Sequence, residues 1–155
     1  MDLRLDVGDT APDFQVPSTG GGDFSLADGV TAGRVLLAFY PKSFTSGCTH
    51  EMEVLRFLHP RFAGAGVSIL GVSVDNLQTQ QRFKKTLGLP FELLADDQTA
   101  AQALDCLRDS GKAERDVYVI GPGRRIEFAI HKLDPRNEDQ YRQLLDAVNA
   151  DTEGL

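Results

Sequence analysis

The sequence predicts an α/β fold in which a mixed sheet lies between layers of helices. Two observations carry that expectation. Residues 35–40 and 67–74 are continuous apolar runs, as expected for strands buried on both faces. Further along, the runs 117–120 and 126–130 flank Gly121-Pro122-Gly123-Arg124, a hairpin turn. Helical patterns separate the first strands, and strands alternating with helices before a hairpin require a mixed sheet covered on both sides.

Each element has a local reason. Phe14 to Pro17 reads as a short extended segment, and the run STGGGD at 18–23 as the loop after it. Residues 48–62 form a helix with Met52, Leu55 and Phe62 near one face, and Pro60 is expected to kink or end it, lacking a donor and clashing with the preceding turn. Residues 77–87 are an amphipathic helix capped by Asp75 or Asn76. A short strand at 93–95 precedes a helix over 98–107, begun by Asp96 or Asp97. Residues 136–150 close the chain as a helix burying Tyr141, Leu144, Leu145 and Val148. No linker or repeat divides the 155 residues, which predicts one domain over 1–155.

Composition narrows the function. A net charge of −7 opposes long-range attraction to nucleic acid or anionic lipid, both polyanions. The N-terminus MDLRLDVGDTAPDF has acids and no apolar signal core, and the run at 35–40 is far too short for a bilayer. A cytoplasmic protein is expected. The two cysteines, Cys48 and Cys106, form no C-x-x-C and no zinc pattern, and in a reducing compartment both start as thiols. His50 and His59 do not complete a metal set with Cys48, so no metal and no cofactor are expected.

The chemistry concentrates in residues 39–51, FYPKSFTSGCTHE. A buried strand ends at Pro41, and a helix starts near Ser46 or Gly47. Cys48 then lies in the first helical turn, where unpaired backbone N–H groups and the positive dipole end favour a thiolate. Thr45, three residues back, has a hydroxyl within reach of that sulfur or of an oxygen bound beside it. A pKa drop from about 8.5 to about 6 raises the thiolate population roughly 30-fold, yet nucleophilicity falls by about tenfold. The larger gain must come from donors aimed at the breaking O–O bond, worth on the order of 10²–10³ each.

Pro41-x-x-x-Thr45-x-x-Cys48 resembles the active-site motif of the peroxiredoxins, and its surroundings resemble the bacterioferritin-comigratory branch. GDTAPDF, GVSVDN, LPFELLADD and an arginine just before DVYVIG agree, so the likeness runs from about Gly8 to about Leu145. The resemblance implies a thioredoxin-like fold and reduction of hydrogen peroxide and organic hydroperoxides through a sulfenic acid on Cys48. It implies that Thr45 bonds the peroxide, that Pro41 shields the sulfur and that Arg115 polarises both partners. Thr45 as a simple helix cap and Pro41 as a strand terminator are the plainer alternatives. Arg124 and Arg125 are the rivals of Arg115, which a surface ion pair with Glu114 or Asp116 would also explain.

One departure stands out. In much of that branch a resolving cysteine sits five residues after the first, and here that position is Glu53. A one-cysteine mechanism is therefore expected, with thioredoxin, glutaredoxin or a small thiol as reductant and a monomer or homodimer as the assembly. Two readings stand for Cys106, a buried apolar thiol or the resolver of Cys48. A thioredoxin-type reductase would want a cysteine at position 45, which is threonine. A non-enzymatic redox sensor or binding domain of the same fold is the competing function.

Overall fold

The structure, a computed structural model, describes residues 5–154. Met1 to Arg4, the start of the acidic N-terminal stretch, and Leu155 lie outside them. Strands β1 (Gln15–Pro17) and β2 (Asp23–Ser25) form a small antiparallel hairpin around the loop at 18–22, followed by the short helix α1 (Leu26–Gly29). The central sheet contains β3 (Arg34–Phe39), β4 (Val67–Ser73), β5 (Glu92–Ala95), β6 (Val117–Ile120) and β7 (Ile126–Ile130) in the order β5-β4-β3-β6-β7. Strands β3, β4 and β5 are parallel, whereas β6 and β7 run antiparallel to their neighbours. The expected mixed sheet is present, and Gly121 to Arg124 make its hairpin turn.

Alternation along the strands divides the core. Leu36, Ala38, Tyr40, Val117 and Val119 face helices α2 (Ser46–Gly64), α3 (Leu77–Leu87) and α5 (Glu138–Ala147). Val35, Leu37, Phe39, Tyr118 and Ile120 face the other way, onto the first hairpin and α4 (Thr99–Ala103). Helices thus cover both faces, as the doubly apolar strands require.

Three helices differ from expectation. Helix α2 runs through Pro60 to Gly64. Arg56, whose carbonyl loses its partner, and Pro60 are both exposed, on the side of the helix where solvent can take the place of the lost hydrogen bond. Helix α4 spans only Thr99–Ala103, because buried Asp96 takes the N–H groups of Ala100 and Ala101 at 2.8 and 2.9 Å and Asp105 turns left-handed at φ 57°. Cys106 accordingly lies beyond the helix expected to hold it. Helix α5 starts at Glu138 because the Asn137 side chain caps the N–H groups of Asp139 and Gln140. Among the described residues no helix is long and apolar enough to cross a membrane.

Candidate active site

The site is built where β3, β6 and α2 meet. Strand β3 delivers the chain to Pro41, a half-buried bend, and α2 begins five residues later with Thr45 at its cap position. Between them Phe44 has φ 66°, a left-handed conformation that strains a bulky side chain by about 1–2 kcal/mol. Its ring packs on Phe83 of α3 at a centroid distance of 5.0 Å, which holds the strained turn in place.

A buried polar network fixes the same loop. The Tyr40 hydroxyl donates to Gln80 of α3, and Gln80 Nε2 donates to Ser73 Oγ at 2.6 Å and to the Leu94 carbonyl at 3.1 Å. Ser73 Oγ donates to Asp75 Oδ2 at 2.7 Å, which also accepts the Ser43 N–H at 2.7 Å. Burial pushes the Tyr40 phenol up, so it stays a donor. Replacing Gln80 with Leu leaves several of these groups unsatisfied. We expect Gln80→Leu to lower the unfolding free energy by about 1–3 kcal/mol in urea titrations, and no loss would mean that the network is not holding the loop.

Cys48 lies in the first turn of α2 and is 1% exposed, but the group lying on it is partly open to solvent. That group is Arg115, whose side chain is 16% exposed. One nitrogen, Nη1, donates to Cys48 Sγ at 3.3 Å and to Glu51 Oε1 at 2.8 Å. Its fellow, Nη2, lies over Gly47, where an added Cβ would sit 3.2 Å away, so the absence of a side chain admits the guanidinium. Arg115 reaches this place because β6 pairs with β3. The Asp116 carbonyl accepts from Phe39 N, the Arg115 carbonyl accepts from Leu133 N, and the Asp116 carboxylate accepts from Tyr118, Lys132 and, at 3.0 Å, pairs with His131. Arg124 and Arg125, the rival arginines, sit at the far end of β6 in the hairpin turn.

Sequence reasoning missed Glu51. It is fully buried, and burial pushes its carboxyl up to about 7 although Arg115 beside it pulls the other way. Its Oε2 has no hydrogen-bond partner among the described residues. Arg115, in turn, is held firmly protonated: desolvation opposes its charge, but Glu51 and Cys48 outweigh it. The signal was legible, since Glu51 stands three positions after Cys48 and shares its helical face.

The other expected residues are placed as follows. Thr45 is exposed, and its hydroxyl donates to the Lys42 carbonyl at 2.7 Å rather than capping the helix. Cys106 is a buried thiol in the core layer that also holds Tyr118 and Leu104, on the face of the sheet opposite Cys48. His50, half-buried, lines a cavity of about 540 Å³ between α2 and α5. Among the described residues no cluster of acids, cysteines and histidines could hold a metal ion.

Residues 7–129 match the AhpC/TSA family. Alkyl hydroperoxide reductase C of Mycobacterium tuberculosis is 30% identical over 169 residues, covering 95% of this chain and 86% of its own. Peroxiredoxin Bcp of Bacillus subtilis is 36% identical over 104 residues, 66% of each chain. Among solved structures, peroxidoxin BcpB from Mycobacterium tuberculosis superposes with a TM-score of 0.86 at 28% identity, over 94% of this chain and 97% of that one. The matched stretch holds β3, the Cys48 helix and the strand that Arg115 precedes, so the chain belongs to the AhpC/TSA family and is a thiol-dependent peroxidase of the Bcp-like peroxiredoxin branch, on a thioredoxin-like fold.

Proposed function

We propose that Cys48 is the peroxidatic residue and that an external thiol completes its cycle. The thiolate attacks the distal oxygen of the hydroperoxide, the O–O bond breaks, and the departing oxygen takes a proton and leaves as alcohol or water. Cys48 becomes a sulfenic acid. The observation that carries this reading is the single Arg115 nitrogen shared between Cys48 Sγ and Glu51 Oε1. A guanidinium fixed by a buried carboxylate presents charge to the sulfur without having to reorganise during the reaction.

Thr45 and Pro41 complete the pocket. Because the Thr45 proton is committed to the Lys42 carbonyl, its oxygen presents lone pairs, and it accepts a hydrogen bond from the peroxide O–H. Pro41 offers no donor of its own and closes the side next to the strand end.

Resolution by an outside thiol is supported by the two cysteines facing opposite sides of the sheet. A disulfide needs Cα atoms about 5.5 Å apart, and the placing of the two thiols in core layers on opposite sides of the sheet counts against it. Position 53 is glutamate, so no neighbour on α2 serves instead. Thioredoxin, glutaredoxin or a small thiol fills the role.

Intact-protein and peptide mass spectrometry after one equivalent of hydrogen peroxide tests the cycle. The expected product carries one added oxygen on Cys48, and Cys106→Ala turns over as the parent does with an external thiol. A Cys48–Cys106 bridge formed in that first turnover would refute the one-cysteine version.

A further inference from the structure

The cavity between α2 and α5 has its first α2 residue at His50, two positions after Cys48, and shares a wall with the site at Pro135. Pro135 lines it and also lies 3.5 Å from where a Cβ on Gly47 would be, beside the Arg115 guanidinium. Tyr141 lines it too, anchored by its hydroxyl to the Pro135 carbonyl at 2.7 Å. A volume of about 540 Å³ lies inside the range of small-molecule sites, roughly 300–1,000 Å³.

Its charge is unlike that of the chain as a whole. In a protein of net charge −7, three arginines converge here, Arg56, Arg136 and Arg142, with His50 at the end nearer Cys48. Arg56 donates to the Leu87 carbonyl, and Arg142 pairs with Asp139 on the surface at 2.9 Å. The Arg136 side chain has no ion-pair partner among the described residues. Glu53 and Glu138 bring negative charge to the same groove, and exposed Phe57 supplies an apolar surface. Arginine forks match carboxylates, and the two glutamates match an ammonium.

We propose that this groove seats the reductant, a low-molecular-weight thiol of amino-acid or peptide type bearing carboxylates and an ammonium. The inference rests on the one-cysteine reading above, since a protein without an internal resolver must admit its second thiol. The first bound thiol attacks the sulfenic sulfur, an S–S bond forms, the S–O bond breaks and water leaves with the thiol's proton. A second thiolate then attacks the mixed disulfide, releasing the small disulfide and restoring the Cys48 thiolate. The two electrons that reduced the peroxide come from these two thiols.

The test separates the two steps. Oxidation of Cys48 by hydrogen peroxide is followed first in the parent, in Arg136→Glu/Arg142→Glu and in the milder Arg136→Gln/Arg142→Gln. Reduction of the preformed sulfenic acid is then timed with glutathione, which carries both charges, and with neutral 2-mercaptoethanol. Comparing each thiol with itself across variants cancels its intrinsic reactivity. The expected result is an unchanged oxidation step, a loss of about tenfold or more with glutathione in the glutamate variant, a smaller loss in the glutamine variant, and no change with 2-mercaptoethanol. Equal losses with both thiols, or none with glutathione, would overturn the assignment. Failure of Cys48 to oxidise in the parent would instead sink the peroxidase reading beneath it.

Discussion

Arg115→Met is expected to lower the rate constant for oxidation of Cys48 by hydrogen peroxide by about 10²–10³-fold. Methionine keeps the length and apolar stem of the side chain but removes the nitrogen that touches both Cys48 Sγ and Glu51 Oε1. Two effects combine in that loss. The sulfur loses the positive charge lying on it, and the breaking O–O bond loses a donor. Stopped-flow mixing at constant pH, with circular dichroism to check folding, reads the result. A passive sensor would hardly notice the change, because its thiol already reacts at a free-thiol rate.

The substitution also leaves Glu51 buried without its cation, which favours the neutral acid still more, so a second variant is needed to separate the effects. In Arg115→Met/Glu51→Gln the unpaired carboxyl is gone. If the guanidinium acts on the peroxide, the double variant stays as slow as Arg115→Met. Recovery to within a few-fold of the parent would show that the slow rate came from the unpaired carboxyl.

Glu51 provides the second large effect, on stability against pH. Its carboxyl is pushed up to about 7 in the folded protein from an ordinary value of 4.5, chiefly by burial. Between those two values the folded state holds a proton that the unfolded state has released. Stability from this group is therefore fully present below about 4.5 and is lost as pH rises through about 7. The loss between pH 5 and pH 8 is on the order of 2 kcal/mol. Glu51→Gln has no such proton, so its unfolding free energy, measured in urea at both pH values, should lack that decline. An identical pH dependence in parent and variant would mean that Glu51 is ionised in the fold throughout.

These expectations explain why the site tolerates a costly arrangement. An unsatisfied Oε2 in the core works against folding. In return, the guanidinium is held against the first turn of α2 from a segment 67 positions away in sequence. The left-handed Phe44 and the Tyr40–Gln80–Ser73–Asp75 network serve the same end on the opposite side of the loop.

Much of this was legible in the chain itself. The continuous apolar runs of β3 and β4 announced strands buried on both faces, and the position of Cys48 just past a strand-ending proline announced a thiol at a helix start. Those features depend on residues within a few positions of each other, where backbone sterics and hydrogen bonding act locally. Pro60 shows the limit of that logic, since α2 continues through it at an exposed position. Arg115 was reachable through resemblance alone, because no local rule links positions 48 and 115.

By itself the sequence determined the strands, the capped helices and the place of Cys48 at a helix N-terminus, all short-range consequences of side-chain size and polarity. Only the tertiary structure decided which arginine meets Cys48, that Glu51 is buried with a raised pKa, and that Cys106 faces away across the sheet. The reason is physical. Burial and electrostatic environment are created by strand pairing and by the packing of α5 and β6 against α2, and those contacts join residues that the chain keeps far apart.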